Sequence, residues 1–87
     1  MIAYAWSNYK MGNQEKAETV FKSMDSKYSN YQHRLEYIIY LNETHGVETA
    51  KNKMTELINE INSMDSYERK LNRQVIAEIK KYNKQLF

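Results

Sequence analysis

Tyr9-Lys10-Met11-Gly12-Asn13-Gln14-Glu15-Lys16-Ala17-Glu18-Thr19-Val20-Phe21 is the stretch that decides the fold. A helix-like run leads into Gly12, which has the place of a C-terminal glycine, and Asn13 follows as an N-cap candidate. Beyond the break, Ala17, Val20, Phe21 and Met24 recur at spacings of three and four, which lays one apolar stripe along one helix face. The only other glycine, Gly46, lies 34 residues on, again between two helical patterns. A glycine-marked period of that length indicates a helical-hairpin repeat.

On either side of this stretch, the pattern predicts five helices in all. The first spans about Met1 to Met11 and the second about Gln14 to Met24. A polar turn, Asp25 to Asn30, offers Asn30 or Ser29 as the next cap. The third helix, Tyr31 to Thr44, is strongly apolar and ends at His45-Gly46. The fourth, Val47 to Met64, carries Val47, Ala50, Met54, Leu57, Ile58 and Ile61 in a helical stripe. Asp65 with Glu68 forms a capping-box-like start for the fifth. Its apolar set is Tyr67, Leu71, Val75, Ile76, Ile79, Tyr82 and Leu86.

Up to the glycines, a step of 34 pairs Met1 with Leu35, Ala5 with Ile39, Trp6 with Tyr40 and Asn8 with Asn42. Past them the step becomes 33 and pairs Ala17 with Ala50, Phe21 with Met54 and Met24 with Leu57. One residue has been lost from the second turn.

Composition narrows the function classes. Eighty-seven residues make one small domain, without proline and without cysteine. Disulfides, thiolate metal sites and cysteine nucleophiles are therefore excluded. No apolar run approaches the ~18 residues of a membrane span. Residues 1–65 hold 7 Lys/Arg against 9 Asp/Glu, whereas residues 66–87 hold 6 against 2, so positive charge concentrates in the last segment.

Gly12, Ala17 and Phe21 resemble the middle of a tetratricopeptide repeat, with its turn glycine followed by a small residue and an aromatic four apart. The second copy keeps Ala50, has Met54 in the aromatic slot, and has Ile39 where the first has Ala5. The tail from Ser66 to Arg73 is similar to the ends of uncharacterised bacterial tetratricopeptide proteins, some of which carry N-terminal membrane anchors. The resemblance implies an all-α fold: a right-handed stack of two antiparallel hairpins, residues 1–30 and 31–64, closed by an amphipathic capping helix over residues 65–87. Met1 falls inside the repeat pattern, so the chain reads as a fragment of a longer array. Its open face at Met1, Ile2, Tyr4 and Ala5 predicts self-association through the first hairpin.

No catalytic constellation stands out, and the chain is read as non-enzymatic with no cofactor. His33 and His45 lack a metal-spaced partner. Glu56 and Glu60, among Lys51 and Lys53, read as a solvated face. The resemblance implies that the first helix of each hairpin lines a concave surface. Its facing positions are Ile2, Trp6, Tyr9 and Lys10, then His33, Glu36, Tyr40 and Glu43. Large aromatics with polar tips suit peptide anchoring. Protein–protein interaction in the cytoplasm is the expected role, with any membrane tether in a longer parent protein. The alternative is contact with nucleic acid or an anionic membrane surface through Arg69, Lys70, Arg73, Lys80, Lys81 and Lys84. A solvated cap, whose outer face has to be polar, is the preferred account of those cations.

Overall fold

A computed structural model describes residues 2–26 and 30–87. Met1, and Lys27, Tyr28 and Ser29 of the expected polar turn, lie outside the described residues, so Ser29 as a cap is not addressed. Among the described residues there are six helices: α1 Ile2–Lys10, α2 Gln14–Ser23, α3 Tyr31–Thr44, α4 Val47–Asn62, α5 Ser66–Leu71 and α6 Arg73–Leu86. No strand occurs among the described residues, and the fold is all-α.

The two glycine junctions close differently. At the first, the Asn13 N–H donates to the Asn8 carbonyl at 2.8 Å and the Gly12 N–H to that of Tyr9 at 3.1 Å. This is the Schellman pattern, with Gly12 at φ 88° in the left-handed region it demands. Asn13 stands at the N-cap of α2, but its side chain makes no capping bond. At the second, only His45 and Gly46 separate the helices. Gly46 is the N-cap of α4, at φ 94° and ψ 166°, a conformation reserved for glycine. Two residues thus make this junction where three make the first.

The chain divides into two compact units, Met1–Tyr37 and Ile38–Phe87. This division falls inside α3 rather than at the repeat boundary near residue 30. In the first unit α1 packs closely on α2. Ala5 and Ala17 are both fully buried, and two methyl-sized side chains let the backbones approach. Phe21, Met24, Leu35 and Tyr37 complete that core. Arg34 is also buried, with Nε 3.6 Å from Asp25 Oδ1 and its guanidinium 5.8 Å from the centre of the Tyr31 ring. Asn30 caps α3 by accepting from the His33 N–H at 3.0 Å.

In the second unit the close helix pair is α4 with α6. Met54, Leu57, Ile61 and Ile79 are wholly enclosed, joined by Ile38, Tyr40 and Leu41 of α3. Asn42 Nδ2 donates to the Tyr82 hydroxyl at 3.1 Å, tying α3 to α6. Glu60 departs from the expected solvated face: it is 9% exposed, because it follows Leu57 by three residues and falls within the buried stripe. Glu56 is exposed as expected and lies 3.7 Å from Lys53 Nζ.

The expected fifth helix is broken into α5 and α6 at Asn72. The Asp65 carboxylate accepts from the Glu68 N–H at 2.8 Å, so the cap read from the sequence forms. One turn later Asn72 Nδ2 donates to the Glu68 carbonyl at 2.9 Å while its backbone sits at φ −106°, ψ 19°. The Asn72 backbone N–H keeps its own bond to that carbonyl at 3.0 Å, so the side chain shares the acceptor and the break lies in the non-helical φ and ψ of Asn72. The break leaves Tyr67 72% and Leu71 70% exposed, although the period placed both on the buried face. Ile76, Ile79 and Leu86 of α6 are buried as the period predicts.

Candidate functional site

The α1 strip is Ile2, Trp6, Tyr9 and Lys10. The first three are half-buried and Lys10 is exposed. Trp6 Nε1 donates to Glu36 Oε1 at 2.8 Å, and Gln32 Nε2 donates to the other carboxylate oxygen at 3.2 Å. Both oxygens of Glu36 are therefore engaged, one by α1 and the other, at an exposed position, by its own helix. A charge-assisted bond of this kind fixes an indole more firmly than a neutral one. Tyr9 meets the Trp6 ring edge-on at 5.9 Å between centres, and Phe21 meets it at 5.1 Å from behind. Phe21 in turn stacks on Tyr37 at 6.2 Å. The product is a half-exposed indole and phenol set on a buried aromatic layer.

The α3 positions diverge from the expected lining. His33 and Glu36 are half-buried and Glu43 is exposed, but Tyr40 is 0% exposed. Its ring offers no surface to a partner. The reason lies in α3 as a whole, where Arg34, Leu35, Tyr37, Ile38, Tyr40 and Leu41 are all buried and cover more than half the helix circumference. A helix apolar around most of its girth is a core helix, not a lining one. Tyr40 contacts His45 edge-on at 6.3 Å, and its carbonyl accepts from Thr44 Oγ1. Sequence reasoning missed Gln32 and the Arg34–Asp25 pair; the spacing of Gln32 one turn before Glu36 was the available signal.

On the other candidate surface, Arg69, Lys70, Arg73, Lys80, Lys81 and Lys84 are all exposed. Arg69 nevertheless has a structural task. Its Nε donates to the Met64 carbonyl at 3.2 Å and its Nη2 to that of Asn62 at 3.1 Å, capping the end of α4. Arg73, Lys80, Lys81 and Lys84 share one side of α6 and have no carboxylate at ion-pair distance among the described residues.

At the open end of the first hairpin, Ala5 is fully buried against α2, so it leaves the apolar face expected there. Tyr4 is 48% exposed with Lys16 Nζ 5.5 Å from its ring centre. Among the described residues no three His, Cys, Asp or Glu side chains converge to hold a metal ion. None of their helices is long and apolar enough to cross a membrane. No protein-family model, curated protein or solved structure matches the chain.

Proposed function

We propose that the chain is a non-catalytic protein-interaction module of the tetratricopeptide kind, which binds a peptide or partner protein through the α1–α3 face centred on Trp6. The observation that carries this reading is the Trp6–Glu36 hydrogen bond, which holds a half-exposed indole in one orientation. Rigid aromatics lose little entropy on binding and dominate interface energetics. Tyr9 and Lys10 extend the surface, and Phe21 supports it from below. Self-association through Ile2 and Tyr4 belongs to the same reading, and sedimentation across a concentration series tests it.

The test compares proteins captured by the wild type with those captured by a Tyr9→Ala, Lys10→Glu variant and by Trp6→Phe. Circular dichroism verifies the fold of each. Unchanged partners on an unchanged fold would remove the reading.

A second reading rests on the unpaired cations Arg73, Lys80, Lys81 and Lys84, which suit a polyanion. Salt-sensitive binding to DNA or anionic vesicles, lost when Lys80, Lys81 and Lys84 are neutralised, would favour it.

A further inference from the structure

A small notch opens along the α4–α6 pair, lined by Thr55, Ile58, Asn59, Asn83 and Phe87. We propose that it docks an apolar side chain of an acidic peptide, through residues other than those around Trp6. Its volume is about 190 Å³. Pockets for whole small molecules run from roughly 300 to 1,000 Å³, so this one suits a side chain better than a cofactor.

The walls and the rim differ in chemistry. Ile58 and Phe87 provide apolar surface, and Phe87 is 67% exposed, unusually open for a phenyl ring. Lys51 Nζ lies 5.1 Å from the centre of that ring and holds it by a cation–π contact. Asn59 and Asn83 contribute carboxamides. Each can donate and accept, which matches the N–H and C=O of an extended backbone.

The charge around the notch selects the occupant. Lys80 precedes Asn83 by three residues and Lys84 precedes Phe87 by three, so both sit on the α6 face that forms the wall. Neither has a carboxylate partner among the described residues. Lys51 adds a third cation, shared with Glu48 at 3.9 Å. An acidic peptide is therefore complementary. A phosphate backbone would use the lysines and leave the apolar notch idle, whereas a bilayer would call for a broad apolar face.

Random dodecapeptides displayed on phage and panned against the whole chain test the proposal, with affinities of recovered peptides read by fluorescence anisotropy. The expected peptides carry one apolar residue among acidic ones. Phe87→Ser, at an exposed position, should weaken them about tenfold, and Lys80→Glu with Lys84→Glu by a similar factor. Trp6→Phe should leave the affinity unchanged, which separates this surface from the Trp6 face. Recovery of no peptides, of peptides without that pattern, or of peptides indifferent to Phe87→Ser would overturn the proposal. A duplex DNA or phosphatidylserine vesicle that binds the wild type and Phe87→Ser equally, and displaces the peptides, would overturn it in favour of a polyanion surface.

Discussion

The first hairpin and the stretch whose sequence reads as its second copy place related residues at equivalent positions and use them differently. Ala5 and Ala17 are both buried in the close α1–α2 pair. Their counterparts are Ile39, half-buried, and Ala50, fully buried, and α4 takes α6 as its close partner. One small residue does not bring two backbones together; both helices must offer one. Asn8 spends its carboxamide on the Tyr4 carbonyl one turn back, while Asn42 reaches across to Tyr82. Trp6 stays half-exposed with its N–H on Glu36, while Tyr40 is enclosed. The first copy is thus closed on itself, with an aromatic surface left over. The second spends its equivalents on packing within its own unit.

Removing the centre of the first copy should give the largest effect. Phe21 is fully buried and touches both Trp6 and Tyr37. Phe21→Ala should cost about 3–5 kcal/mol in urea unfolding, at the upper end for a core truncation. Met54→Ala, at the equivalent place, should fall nearer the lower part of a range of about 2–5 kcal/mol, since methionine repacks more readily. A smaller loss at Phe21 than at Met54 would break the comparison, because the first copy would then not depend on its ring.

The buried alanines give the next effect. Ala5→Ile gives the first copy the residue of the second, and overpacking of this kind costs about 1–3 kcal/mol. The Tyr4–Lys16 and Trp6–Glu36 contacts should loosen with it, which a shift in Trp6 fluorescence would report. A neutral Ala5→Ile would show that close approach of α1 and α2 does not rest on that methyl.

These contrasts also separate what the sequence made legible from what it concealed. The bounds of α3, Tyr31 and Thr44, are those read from periodicity, because a cap at Asn30 and a glycine at 46 punctuate it strongly. The two glycine junctions and the Asp65 cap were legible for the same reason: each is set by local backbone chemistry. Tyr40 was not legible, because a tyrosine serves equally as a surface anchor and as a core ring. Only tertiary packing around α3 decides between them. Arg69 read as one of six surface cations, yet it caps α4, and no local pattern announces a bond spanning five to seven residues. Tyr67 and Leu71 kept helical period, but the non-helical backbone of Asn72 uncoupled their face from that of α6.

The glycines offer a third, smaller contrast. A Cβ at either position would meet nothing within 4 Å, so the cost of substitution is conformational alone. Gly46 lies in a region closed to other residues, whereas Gly12 sits in the left-handed cap geometry that asparagine also tolerates. Gly46→Ala should therefore cost about 2 kcal/mol and Gly12→Ala about 1 kcal/mol. Gly12→Asn should recover part of that loss and Gly46→Asn much less. Equal costs at the two sites, read from thermal unfolding, would mean that the lost turn residue made no difference to the backbone.

The smallest effect belongs to a pair found only in the first copy. The Lys16 ammonium beside Tyr4 favours its phenolate and lowers the phenol's pKa; the Asn8 side chain assists. The same contact raises that of Lys16. At the equivalent places of the second copy stand Ile38, buried, and Thr49, exposed, which form no such pair. A depressed phenol pKa adds stability as pH climbs through the window in which the folded chain has lost the proton and the unfolded chain still holds it, and the gain is kept above that window. That support is absent at neutral pH, begins as pH rises through the folded value, and is complete above the ordinary tyrosine value near ~10. The raised lysine acts in the opposite sense, its support being lost as pH climbs through its own folded value. Both groups are exposed, so the signature is spectroscopic rather than energetic. In an absorbance titration one tyrosine should ionise ahead of the others, and Lys16→Gln should return it to the group. If Lys16→Gln leaves the early phase in place, the clamp between α1 and α2 does not exist in solution, and the first copy loses a charge contact that its counterpart positions lack.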